Sequence, residues 1–133
     1  MKAEELMIGD WVKMFNVAYI VSAINKNGVR FEQQNGFSGG AYDAIEPIPL
    51  TPEILEKNGM HLYNRKTNRL MEECNHSDCF IEDEDNRVEL SLDNNGKIRW
   101  SINSDEYTII PLDYVHQLQH ALRLCSINKQ IEL

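Results

Sequence analysis

Twice in this chain an Asn-Gly turn joins two short strand-like runs, and that arrangement constrains the fold more than any other feature. "NVAYIVSAI" reaches "VRFEQ" through "NKNG" (25–28), and "RVELSL" reaches "KIRWSI" through "DNNG" (93–96). Asparagine and glycine tolerate the positive φ that a two-residue hairpin turn demands, so each pair predicts an antiparallel hairpin. In the second hairpin the alternation sets Val88, Leu90 and Leu92 against Ile98, Trp100 and Ile102.

The first hairpin has strand-like neighbours on both sides. "IGDWVKMF" places a Gly-Asp turn before a strand over Trp11–Phe15, and Val17–Ile24 is apolar enough for burial on both faces. "NGFSGG" (35–40) reads as a flexible loop, and the prolines of "AIEPIPL" (44–50) exclude a helix and leave the chain extended. Four or five short strands in some fifty residues predict an SH3-like small β-barrel or bent sheet over 1–50. Trp11, Tyr19 and Phe31 are expected in its core. Phe37 and Tyr42, which flank the glycine loop, are expected at the surface and are the candidate partner-binding residues.

"LTPEILEKNG" reads as a linker helix over 51–59. Thr51 suits the N-cap, Pro52 the first helical position, Glu53 the positive end of the helix dipole and Gly59 the left-handed stop. So short a helix is marginal alone and should dock through Ile54 and Leu55. Residues 60–133 are expected to form a β-meander and a C-terminal packing helix, either as a second module or as part of one compact domain overall. "YTIIPL" (107–112) supplies its third strand, with weaker strands near Leu70–Met71 and Phe80–Ile81. The fold class is therefore α+β.

The last helix, Tyr114–Ser126, contains two of the chain's four histidines one turn apart. At 100° per residue, Val115, Leu118, Ala121, Leu122, Cys125 and Tyr114 share an arc of roughly 120°, and His116 and His120 fall almost opposite it. Both imidazoles are thus expected to face water. The spacing is that of the zinc-protease motif H-E-x-x-H, but position 117 is glutamine, an amide that cannot serve as general base.

"CNHSDC" is the better metal candidate, because Cys74, His76 and Cys79 place three zinc-type donors within six residues. A structural zinc site usually draws a second ligand pair from elsewhere, and the sequence offers no such pair. The expectation is no cofactor, with zinc at this loop as the alternative. "EDED" (82–85) lacks the alternating acids and central glycine of an EF-hand loop. "GFSGG" lacks the Lys-Ser/Thr of a phosphate loop, and no G-x-S-x-G elbow occurs. No catalytic constellation is specified.

Charge narrows the partners. The net charge is −8, and residues 72–89 hold eight acidic side chains against Arg87 alone. Nucleic-acid affinity rests on a basic patch, and none is present, so direct DNA or RNA binding is not expected. No apolar run reaches the ~20 residues of a membrane-spanning helix. The opening "MKAEELMIGDWVK" carries charges where a signal peptide has its apolar stretch, so cytoplasmic residence with three reduced cysteines is expected.

"MKAEELMIGDWV", "PIPLTPEILEKNG" and "YVHQLQHALRLC" with the final "IEL" together resemble a family of small proteins without assigned activity. They are encoded by gut bacteria of the Bacteroides group, often among prophage and mobile-element genes. The resemblance spans both ends and the central helix and does not extend to 61–106. It implies a bacterial cytoplasmic setting and a phage-related role. The functional expectation is a non-enzymatic accessory protein that binds another protein. Its rivals are a small zinc-dependent hydrolase and an acidic nucleic-acid mimic built on 72–89.

Overall fold

Asp10 organises the first turn. Its N–H donates to the Met7 carbonyl, its carboxylate accepts from the Met7 N–H at 2.7 Å, and its side chain is fully buried. The chain then enters its first strand, Trp11–Met14 (β1), in a computed structural model. This structure describes residues 1–32, 37–60, 63–64, 69–70, 77–83, 86–92, 98–102 and 110–133, and only the backbone for those between 61 and 111. The chain divides into two units, residues 1–49 with 114–116, and residues 50–113 with 117–133.

In the first unit, β1 is followed by Val17–Asn25 (β2), Gly28–Phe31 (β3), Gly39–Ala41 (β4), a 3₁₀ turn at Tyr42–Ala44, and Glu46–Pro47 (β5). All pairings are antiparallel, in the order β4-β3-β2-β1-β5. β2 serves both halves of the sheet. Its first residues pair with β1 and its later ones with β3, and a register irregularity between Val21 and Ala23 marks the change of partner. A bulge of this kind bends a strand and raises its twist. Among the described residues β4 and β5 are not hydrogen-bonded to each other, so the sheet is open rather than a closed barrel.

Several expectations for this unit are corrected. Trp11 is half-buried and lies outside the core. The β2–β3 hairpin forms, but its loop is Lys26–Asn27, and neither Asn27 nor Gly28 takes the positive φ expected of an Asn-Gly turn. β2 is not buried on both faces, because only Tyr19 and Val21 are fully inside. β1 stops at Met14, and Phe15 belongs to the turn. The glycine stretch at 39–41 is a strand, held by pairing with β3. A Cβ on Gly39 would lie 2.3 Å from the Val29 carbonyl oxygen, and one on Gly40 would lie 2.6 Å from the Met14 sulfur. Close approach to the core and to β3 therefore selects glycine here, where strand propensity would reject it.

The core of the unit is Leu6, Val12, Met14, Tyr19, Val21, Val29, Phe31 and Ile45. The Tyr19 and Phe31 rings stack at 4.4 Å, and burying each such side chain contributes ~1.5–3 kcal/mol. Met1 packs at the margin, and its amino group donates to the Tyr42 and Ile45 carbonyls. Pro49 and Tyr114 form an isolated bridge, and the Val115 N–H donates to the Ile48 carbonyl.

The second unit opens with the helix Pro52–Lys57 (α1), built as its sequence predicts. Thr51 Oγ1 accepts from the Ile54 N–H, Pro52 takes the first turn, and Gly59 ends the segment at φ 76°. Leu55 is fully buried, and Ile54 is half-buried. Asn58, just beyond the helix, clasps the end of the chain. Its side-chain amide donates to the Glu132 and Ile54 carbonyls and accepts from the Glu132 N–H, at 2.7–2.8 Å.

Its sheet comprises Tyr63–Asn64 (β6), Arg69–Leu70 (β7), Ser77–Asp83 (β8), Asn86–Leu92 (β9), Ile98–Ile102 (β10) and Ile110–Leu112 (β11), in the order β11-β10-β9-β8-β6-β7. Val88 pairs with Ile102, Leu90 with Trp100 and Leu92 with Ile98, the register expected from alternation. The last helix is Val115–Leu124 (α2). The architecture is α+β with antiparallel sheets.

Candidate protein-interaction surface

The β1–β2 hairpin turns through Phe15 and Asn16, at φ 51° and 61°. Met14 pairs directly with Val17, which leaves two residues in the loop. Positive φ at both central positions matches the twist of the flanking strands, and asparagine or glycine normally occupies them. Asn16 fits this rule. Phe15 does not, because a bulky side chain in the left-handed region costs on the order of 1–2 kcal/mol.

The ring so placed gains no burial in return, since Phe15 is 74% exposed. It meets the ring of Phe37, itself 50% exposed, at a centroid separation of 5.9 Å and an interplanar angle of 49°. That tilted arrangement suits aromatic quadrupoles. Val17 adds a partly exposed aliphatic surface directly after the turn. The two phenylalanines are 22 positions apart in the sequence, and the hairpin tip and the segment leading into β4 bring them together.

Tyr42 stands apart from this pair. It is half-buried against the core rather than free at the surface, and its hydroxyl donates to the Asn25 carbonyl. A ring tethered at its polar end supports the fold more than it offers contact area. Lys13 and Glu46 form an ion pair at 3.0 Å across β1 and β5, exposed enough to add little stability.

The histidine pair divides. His116 is buried, at 5% exposure, with its ring stacked at 5.8 Å on Tyr114, whereas His120 is half-exposed. The expectation that both rings face water is thus wrong for His116. Gln119 is buried as well, so the enclosed side of α2 reaches beyond the apolar stripe at Gln119 and His116, while Arg123 nearby stays exposed. Apolar periodicity could not show this, because it does not register polar side chains that the fold encloses.

Cys74 and His76 lie outside the described residues, and Cys79 contributes its backbone to β8, opposite Leu90. Among the described residues no group of three or more His, Cys, Asp or Glu side chains is placed to hold a metal. Burial pushes the Cys125 thiol above its usual range, and the thiol is therefore a weaker nucleophile than a free cysteine at neutral pH. No described helix is long and apolar enough to cross a membrane. Comparison of the chain with family models, with curated proteins and with solved structures returns no match.

Phe15 as a functional candidate was missed from sequence, where it read as the last residue of a strand. The available signal was the tight spacing of "MFNV": a turn centred on Phe-Asn forces the aromatic to the tip.

Proposed function

We propose that this chain is a non-enzymatic protein-interaction module whose first unit grips another protein through Phe15 and Phe37. The unit is read as SH3-like. A long, bent second strand shared between two half-sheets, a 3₁₀ turn before the final strand, and the return of that strand to β1 are features of that small-barrel connectivity. The setting we infer is the bacterial cytoplasm, with the chain acting as an accessory protein of a phage or mobile element.

One observation carries the reading. An exposed aromatic ring sits on a strained turn where asparagine would be more stable, and it touches a second exposed aromatic ring. Strain at Phe15 opposes folding and its exposed ring brings no burial to offset it, and such residues cluster where a partner is gripped. Aromatic anchors of this kind dominate binding energy at interfaces.

Affinity capture from host lysate, across growth and phage-induction conditions, tests the proposal. Wild-type protein is expected to retain a specific partner, and the double variant Phe15→Ser/Phe37→Ser should recover it roughly tenfold less well, as loss of two anchors predicts. No specific partner in any condition, or equal recovery by the variant, would overturn it.

A further inference from the structure

We propose that the outer edge of β4 receives an extended, basic segment of the partner polypeptide as an added strand. This rests on the protein-interaction reading above and specifies how the partner binds. β4 ends its sheet, and among the described residues no hydrogen bond reaches its outer side. The Phe31 N–H donates to the Ser38 carbonyl at 2.9 Å. Antiparallel ladders alternate, so Val29 and Gly40 form the next bonded pair, and Gly39 and Ala41 direct their N–H groups away from β3. The close backbone approach at Gly39–Arg30 and at Gly28–Ala41 agrees, since unbonded pairs are the narrow ones.

The other sheet ends are blunted. β5 has two residues, one of them Pro47, which lacks an N–H. β11 carries Pro111 at its centre, and β7 has two residues, one of them Arg69. Proline, charge and shortness are the usual defences of an edge. β4 is as short as β11, at three residues, but it has neither proline nor charge and presents Gly-Gly-Ala, small enough to admit another backbone. Phe37 lies two residues before β4, so an arriving strand meets the Phe15–Phe37 rings beside the free N–H groups.

Charge selects the occupant. Two copies of this chain, each at −8, repel, which disfavours pairing with itself. Two exposed carboxylates lie near this edge: Asp43 follows Ala41 by two residues, and Glu32, one strand inward, adjoins Phe31, which bonds Ser38. The cations nearby, Arg30 opposite Gly39 and Lys26 in the turn before Gly28, also lie one strand inward. A segment with basic residues flanking an apolar centre complements this pattern, with backbone hydrogen bonds giving affinity and the aromatic pair giving register.

The test is amide exchange measured by NMR on the full chain, with a capped Lys-Thr-Val-Thr-Val-Thr-Lys peptide as probe. The peptide should slow exchange at Gly39 and Ala41 by tenfold or more while leaving Glu46 on β5 unchanged. The same peptide N-methylated at alternate residues should give no slowing on the wild-type chain. Ala41→Pro, which the φ of −72° at that position accommodates, should abolish the slowing at Gly39. Unchanged exchange at Gly39 and Ala41, or equal slowing by the N-methylated peptide, overturns strand addition. If Phe15 and Phe37 resonances shift without amide protection, strand addition fails and the aromatic-surface reading stands. If capture from lysate is also independent of both phenylalanines, that reading fails too.

Discussion

At position 15 the side chain and the backbone make opposite demands. The backbone adopts a left-handed conformation that suits asparagine, and the side chain is a benzyl group standing in water. Phe15→Asn should therefore stabilise the protein by about 1 kcal/mol while weakening partner capture. Urea denaturation together with the capture assay reads both effects, and a loss of stability would show that the ring supports the fold. Asn58 presents the opposite case. Two of its three hydrogen bonds at 2.7–2.8 Å join the end of α1 to Glu132, the third returns to the Ile54 carbonyl, and the residue is buried. Asn58→Ala leaves backbone groups of Glu132 without their partner and should cost about 2–3 kcal/mol in denaturant unfolding. A change below about 0.5 kcal/mol would mean that water replaces the clasp.

Individual elements differ in how openly the sequence declares them. α1 is set by local chemistry, and its cap also tunes a titration. The Thr51 side chain and a backbone hydrogen bond hold the Glu53 carboxyl below its ordinary value. A depressed carboxylate favours the folded state above the unfolded-state value, and that contribution is lost as pH falls through the folded value. Thr51→Ala should cost about 1 kcal/mol at neutral pH, and less in acid, where the charged partner has gone. Stability curves from pH 7 to pH 3 check this, and a cost independent of pH would contradict it. α1 was legible in the sequence because capping is read within a few residues, and the β9–β10 register was legible because Val88, Leu90 and Leu92 alternate in phase with Ile98, Trp100 and Ile102. β4 was not, because Gly-Gly-Ala has no strand preference and is recruited by close approach to β3 and Met14. The β1–β2 turn was also missed, since a phenylalanine at positive φ runs against turn statistics. The buried side of α2 was half-read. The stripe Val115, Leu118, Ala121 and Leu122 is inside as expected, while His116 and Gln119 are buried as well, which apolar periodicity does not encode.

On the scale of the whole chain, the net charge of −8 separates acceptable partners from unsuitable ones. Opposite charge accelerates encounter and is screened within about 8–10 Å at physiological salt. Association with the captured partner should therefore slow several-fold between 50 and 500 mM salt in a stopped-flow or biosensor measurement. An unchanged association rate would place the recognition in apolar contact alone. The account stands on the claim that Phe15 and Phe37, and no arbitrary exposed apolar residue, meet the partner. Leu124 supplies the control, because it is as exposed as Phe15 but lies in α2, far along the chain. A photo-reactive phenylalanine analogue placed in turn at positions 15, 37 and 124, and irradiated in the host during phage induction, tests the claim most directly. A discrete adduct from 15 and 37 and none from 124 is the predicted result, and adducts from 124 alone, or equally from all three, would contradict it.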